Sequence, residues 1–421
     1  MFSLTGFAET TTGLSSNWCG NCQWVKGAVK DENWADALAP GRPYQTVATG
    51  FYQVQPYLGA KLDLIDGFKL AGLLSQRYRD GVVNGDHVET RYGGLVDVPG
   101  FWYQKNVSVS HEDYGSLRIG AMTTRGWSVA DFPYGTNVGM SYEWGSSGAG
   151  YGMLSNAVSY TSRILDVAQG DLVLEATYDQ GNELFKINKP RFIELYGQFH
   201  RGDLVLDAVL QDSHNGTPAA WGHAPFSGLT PNAADDPLLR GSSQNIAMVM
   251  ARYQIDSKLE ISGGLRRNHW SGANAVITNP TGAITPTGVQ GTWNNMFNVN
   301  WGGSLNGVQN PGYPATSVDV LMGARYRMGK WVASTGLVHL GTASTANPSE
   351  RGQSNSALFN TFGLNYDYGG GLVFESTLGT VHYARLGLAP MSMPGNDAFS
   401  NVDSRVNRNG NWFTVGAVYS F

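Results

Sequence analysis

The chain has 421 residues, 42% hydrophobic and 12% aromatic, with only 14% charged and 55 glycines. No stretch reaches the roughly 18 to 20 consecutive apolar residues of a membrane-spanning helix, which excludes a helical membrane protein. The negative mean hydropathy still leaves room for a barrel, in which half of each strand faces water. A net charge of −5 without any basic block offers nothing to a nucleic-acid partner.

The numbering begins Met1-Phe2-Ser3-Leu4 without a charged and apolar leader, so export through a signal peptide absent from this numbering is expected. Residues 3–14 alternate as a first strand, with Leu4, Gly6 and Ala8 on one face. A polar segment follows to about residue 45. It holds the only cysteines, Cys19 and Cys22, as a C-x-x-C between Trp18 and Trp24. A zinc site needs a second ligand pair and a redox motif needs a strand–helix context, so a small disulfide in an exposed loop is expected.

The clearest hairpin comes next. Tyr52, Val54, Pro56, Leu58, Ala60, Leu62 and Leu64 share one face, while Lys61 and Asp63 share the other. Asp66-Gly67 predicts a two-residue turn. The returning strand places Phe68, Leu70, Gly72, Leu74 and Tyr78 outward and Lys69, Ser75, Arg77 and Arg79 inward. The same unit recurs at 101–113 with 116–126, 157–167 with 172–178, and 192–200 with 204–211. It continues at 246–255 with 259–268, 318–328 with 331–342, and 357–367 with 372–385. The chain closes on residues 412–421, whose Phe413, Val415, Ala417, Tyr419 and Phe421 alternate with Trp412, Thr414, Gly416, Val418 and Ser420.

With the first and last strands this makes about 16. Connections of two to five residues alternate with long ones rich in Gly, Pro, Ser, Thr and Asn, at roughly 15–45, 80–100, 127–156, 214–245, 270–316 and 386–411. Short turns at one end and long loops at the other are the layout of an outer-membrane barrel. Closure removes the sheet edges and satisfies every backbone group in lipid. The expected fold is therefore all-β: one closed antiparallel transmembrane β-barrel domain over residues 1–421, with short periplasmic turns and long extracellular loops.

Inward parity selects the chemistry. Lys61, Lys69, Arg77, Arg79 and Arg118 come from the first third of the chain and Arg325 and Arg327 from the last, with Arg125, Arg163 and Arg266 as further candidates. Arginine keeps its charge at any relevant pH, so a basic constriction favours anions. The competing reading places some of these arginines at the rims, against lipopolysaccharide phosphates or loop carboxylates. The eight histidines are scattered, so no metal site and no cofactor is expected. No Gly-x-Ser-x-Gly elbow suggests an enzyme.

The aromatic last strand ending at Phe421, the segment Tyr114-Gly115-Ser116-Leu117-Arg118-Ile119-Gly120 and the long segment after it resemble the Gram-negative porin superfamily. That resemblance implies a 16-stranded, usually trimeric outer-membrane channel for passive diffusion of small hydrophilic solutes. It implies a third loop, about 127–156, folded into the lumen and carrying Asp131 and Glu143 opposite the basic wall. It also implies a homotrimer in outer-membrane lipid and lipopolysaccharide. The last strand, with Phe413, Tyr419 and Phe421, would be read by the barrel-assembly machinery. The alternatives are a substrate-selective channel for small organic acids or sugars, lined by Trp127, Phe132, Tyr134, Tyr142 and Trp144, an adhesin with a blocked lumen, and a barrel hydrolase.

Overall fold

The computed structural model describes residues 1–16, 46–79, 82–83, 102, 104–146, 153–179, 191–214, 243–271, 302–305, 308–311, 315–342, 344–345, 356–384 and 409–421. The described residues form sixteen barrel strands. They are β1 (Phe2–Ser16), β2 (Thr46–Asp63), β3 (Lys69–Ser75), β4 (Gln104–His111), β5 (Gly115–Thr123), β6 (Met153–Thr161), β7 (Gly170–Asp179) and β8 (Arg191–Arg201). The second half comprises β9 (Leu204–His214), β10 (Ser243–Gln254), β11 (Leu259–Ser271), β12 (Ala315–Met328), β13 (Trp331–Leu340), β14 (Ala357–Gly369), β15 (Leu372–Tyr383) and β16 (Asn409–Ser420). Short pieces extend three of the ladders: Tyr78–Arg79 on β2, Leu165–Val167 on β7 and Ser344–Thr345 on β12.

Each strand pairs antiparallel with the next. The cylinder closes where β1 meets β16, from Phe7 opposite Ser420 to Ser16 opposite Asn411. Beyond the ladder, Gly6 and Phe421 exchange both backbone hydrogen bonds, at 2.9 and 3.0 Å. Closure thus leaves no unpaired strand edge inside the apolar layer.

The alternation seen in the sequence is the alternation of the wall. On β16 and at the residue that follows it, Phe413, Val415, Tyr419 and Phe421 face outward and are exposed. In the middle of their strands, Met322 and Phe362 are 60% and 65% exposed. A continuous belt of bare apolar side chains at this level suits hydrocarbon and not water. Outward aromatics gather toward the short-turn end, including Tyr253, Tyr326, Trp331, Phe374 and Tyr419, and Tyr52 and Tyr78 lie together at the other end, 6.1 Å apart. These are the positions of interfacial girdles.

One turn differs from its prediction. Pairing of β2 with β3 stops at Asp63–Lys69, so five residues and not two make the connection. Leu64 donates to the Phe68 carbonyl across a 3-10 turn at Ile65–Gly67. Asp66 and Gly67 do take the left-handed conformation that the dipeptide favours, with φ of 55° and 79°. The turn chemistry matches the sequence, and the register does not. Cys19 and Cys22 lie outside the described residues.

Candidate functional site

At the end of β5 the chain turns inward. Gly120 sits at a register shift in the β5–β6 ladder and has φ +127°, where a Cβ would meet the backbone of Lys105 and Asn106. A bulge of this kind bends a strand and re-aims the chain beyond it. The residue is the last glycine of the Gly115–Gly120 segment noted in the sequence. Residues 124–146 then cross the lumen as a chain of short helical turns, beginning with α1 (Arg125–Val129). Thr124 caps α1, its hydroxyl accepting from the Trp127 amide.

The wall holds this loop at a series of points. The Glu194 carboxylate on β8 accepts from the amides of Arg125 and Gly126 at 2.7 and 2.9 Å, a negative group against unpaired first-turn donors. Asp207 on β9 takes hydroxyl hydrogens from Tyr134 of the loop and Tyr196 of β8, at 2.7 and 2.6 Å. Trp144 is fully buried against Gly264 of β11 and donates to the Met250 sulfur of β10. Val138 packs on Gly323 and near Gly336, and its carbonyl accepts from Thr361 at 2.5 Å. Glycines at 264, 323 and 336 give the loop a floor without side chains, so it lies close to the wall.

Arg266 completes the attachment. It is fully buried, forks onto Asp319 with Nε and one Nη at 3.0 and 2.9 Å, and donates its other Nη to the Trp144 carbonyl at 2.8 Å. Its guanidinium also stacks over the Trp144 ring at 4.6 Å. Asn268 and the Gly341 amide satisfy the rest of Asp319. A buried pair of this kind needs its full set of hydrogen bonds to offset desolvation. Arg266 is therefore an anchor for the loop and does not present charge to the lumen.

The other predicted residues fall in three places. Arg118 on β5 and Arg125 on the loop share the Glu175 carboxylate of β7, at 3.9 and 2.9 Å, and both stay partly open to the lumen. Burial works against the Arg125 charge, and Glu175 beside it more than restores it, raising the group above its ordinary value. Under the loop at Tyr134, Arg325 on β12 and Arg252 on β10 flank Glu260 of β11, each at 3.6 Å, with Arg327 one inward position further along β12. Lys61 lies exposed near the short-turn mouth. Each of the two clusters thus sets two guanidiniums on one carboxylate. Arg252 was missed in the sequence.

Two placements correct the sequence reading. Arg77 is buried, its Nε donating to Gln55 at 2.7 Å, so it acts from within the wall and not as an exposed lining group. Glu143 is only 3% exposed, and burial pushes its carboxyl up to about 8. It therefore holds its proton at neutral pH and is shut off from the lumen, leaving Asp131 as the half-exposed acid of the loop. Asp131 accepts from the Ser141 and Thr136 hydroxyls. Tyr134 and Trp144 are buried too, and among the described side chains of the aromatic lining only Phe132 stands well exposed. The side chains of Arg79 and Tyr142 lie outside the described residues; the Arg79 backbone pairs with Gln53. Among the described residues no group of histidine, cysteine or carboxylate side chains is disposed to hold a metal.

No family model and no curated protein sequence matches the chain. Solved structures do. An anion-selective porin from Comamonas acidovorans superposes with a TM-score of 0.55 at 12% identity, covering 100% of this chain and 99% of that one. OmpT, an outer membrane protein of Vibrio cholerae, matches in its trimer form with a TM-score of 0.56 at 13% identity and the same coverage. Its loop L8 deletion mutant gives 0.57 at 11% identity, again covering 100% and 99%. At these identities the likeness is one of fold.

Proposed function

We propose that this chain, which has the fold of the outer-membrane porins, is a water-filled channel in the outer membrane of a Gram-negative bacterium. It lets small hydrophilic solutes diffuse passively, with no chemical step, and it favours anions. The observation that carries this reading is the loop of residues 124–146 fastened across the lumen of a closed barrel. A barrel of this size encloses water, and its narrowest level sets what passes. At that level Arg118 and Arg125 share Glu175, and just beyond it, toward the short turns, Arg252 and Arg325 share Glu260. The excess of guanidinium makes both walls attractive to anions, and the charge is independent of pH. The similarity to an anion-selective porin supports the same direction.

The functional unit we propose is a homotrimer, as the trimer form of the Vibrio cholerae protein suggests. Leu4, Gly6 and Ala8 on β1, with Ala60 and Gly72 beside them, give an outer surface on which a second copy can pack closely. Membrane lipid and lipopolysaccharide surround it, and the β16 aromatics Phe413, Tyr419 and Phe421 form the strand offered to the assembly machinery. The test is conductance of the purified chain in a planar bilayer, with reversal potential under a salt gradient. Large non-saturating steps that close in threes and favour chloride are expected. Cation preference would overturn the anion reading alone, and silence would overturn the channel.

A further inference from the structure

Beneath the inserted loop, toward the short turns, the wall of β10 to β13 forms a half-open polar pocket of about 260 Å³ that the loop itself does not fill. This is several times the roughly 30 Å³ share of one water. Lys258, Arg325 and Arg327 line it, with Glu260 as the carboxylate among them. Arg252 stands behind Glu260 and under the Tyr134 ring, 5.7 Å from its centre. The other nearby acid, Asp256, is turned to the Lys258 and Leu259 amides at 2.7 and 2.9 Å.

The arginines here are less well satisfied than Arg266. Glu260 stands 3.6 Å from each guanidinium, beyond a normal hydrogen bond. Nε of Arg252 and Nε of Arg325 have no protein acceptor among the described residues. Both side chains keep about a quarter of their surface open, 24% and 25%. One carboxylate cannot neutralise the two arginines paired with it together with the Arg327 and Lys258 that share the same lining. A ligand with several anionic oxygens can take fork-shaped hydrogen bonds from the guanidiniums and a point charge from the lysine. A monovalent halide offers a single acceptor centre and no set of oxygens to match the guanidinium forks.

We infer that this pocket is a binding subsite for an oxyanion of the phosphate class, held by Arg325, Arg327 and Lys258 with Arg252 setting the local charge. The inference rests on the channel reading above and adds a solute class to it. Val138 of the loop packs on Gly323, and Arg325 and Arg327 follow on the same face of β12 toward the short turn. A phosphate-bearing solute coming from the long-loop end therefore meets this subsite just after the constriction.

The probe is inorganic phosphate, added at constant ionic strength to channels of the full chain carrying chloride current. Phosphate is expected to lower the current saturably. Arg325→Gln and Arg327→Gln should each raise the half-effect concentration about tenfold, the loss of one charged hydrogen bond. Arg267→Gln, on the outward face of β11, should leave it unchanged. An open channel whose current falls without saturation, or falls equally in all variants, overturns the subsite and leaves the channel reading intact. If the chain does not conduct, phosphorus NMR line broadening on the folded protein in detergent decides the matter. Broadening that Arg327→Gln removes supports the subsite without the channel, and no broadening overturns it.

Discussion

Glu143 shows how far the environment of one side chain can depart from what its identity suggests. Its ordinary value is 4.5, and burial in the docked loop lifts it to about 8. Between those values an undocked loop releases a proton that the docked loop keeps, so docking weakens as pH rises. The slope is about 1.4 kcal/mol per pH unit for one group. Docking is thus strongest below 4.5 and stops changing above 8, where both forms are ionised. Channel current noise from loop movement is expected to increase between pH 5 and pH 8. Glu143→Gln, which copies the protonated form, should be flat over that range. Equal pH dependence in the two proteins would reject the assignment. Nothing in the local sequence Ser141-Tyr142-Glu143-Trp144 separates this buried acid from the half-exposed Asp131 earlier in the loop; the difference lies in how the folded loop buries one and leaves the other partly open.

The same limit operates on whole elements. Strands with one apolar and one polar face, such as β2 and β16, were legible because lipid and water impose a period of two. Strand β10 was harder. Its outward Ala247, Val249 and Ala251 alternate with inward Ile246, Met248 and Met250, all apolar, because the loop covers that stretch of wall. With no contrast between faces, Arg252 did not stand out as lumenal. The loop's entry was legible in the Gly115–Gly120 segment, but its landing points were not. Glu194, Asp207 and Arg266 are far along the chain from the loop groups they hold, the nearest separation being 68 residues. Docking depends on the absence of side chains beneath it, which can be tested at Gly264. A Cβ there would lie 2.7 Å from the Trp144 ring. Gly264→Val should displace the loop and raise single-channel conductance, while the barrel keeps its resistance to unfolding in detergent gels. Unchanged conductance in a folded Gly264→Val barrel would show that the loop is not what limits the pore.

At the scale of the molecule, the two faces of every strand meet different solvents, and the barrel's stability should reveal which is which. Met322 lies on the outward face of β12, with Leu265 on the adjacent β11 and Val249 and Phe362 on the strands beyond β11 and β13, all exposed. Thr11 lies on the inward face of β1, opposite Gly416. An arginine in the middle of the lipid face costs about 2–4 kcal/mol, since the charge must be drawn to an interface or hydrated within hydrocarbon. An arginine in the lumen keeps its water. Met322→Arg should therefore lower the folded fraction in urea titrations into lipid vesicles by an amount in that range. Thr11→Arg should fold as the parent does. The size of the difference should shrink as the bilayer is made thinner, because the interface then approaches residue 322. If both substitutions cost the same, the outward belt does not face lipid. The alternation that runs from Phe2 to Phe421 would then have to be explained by packing against protein.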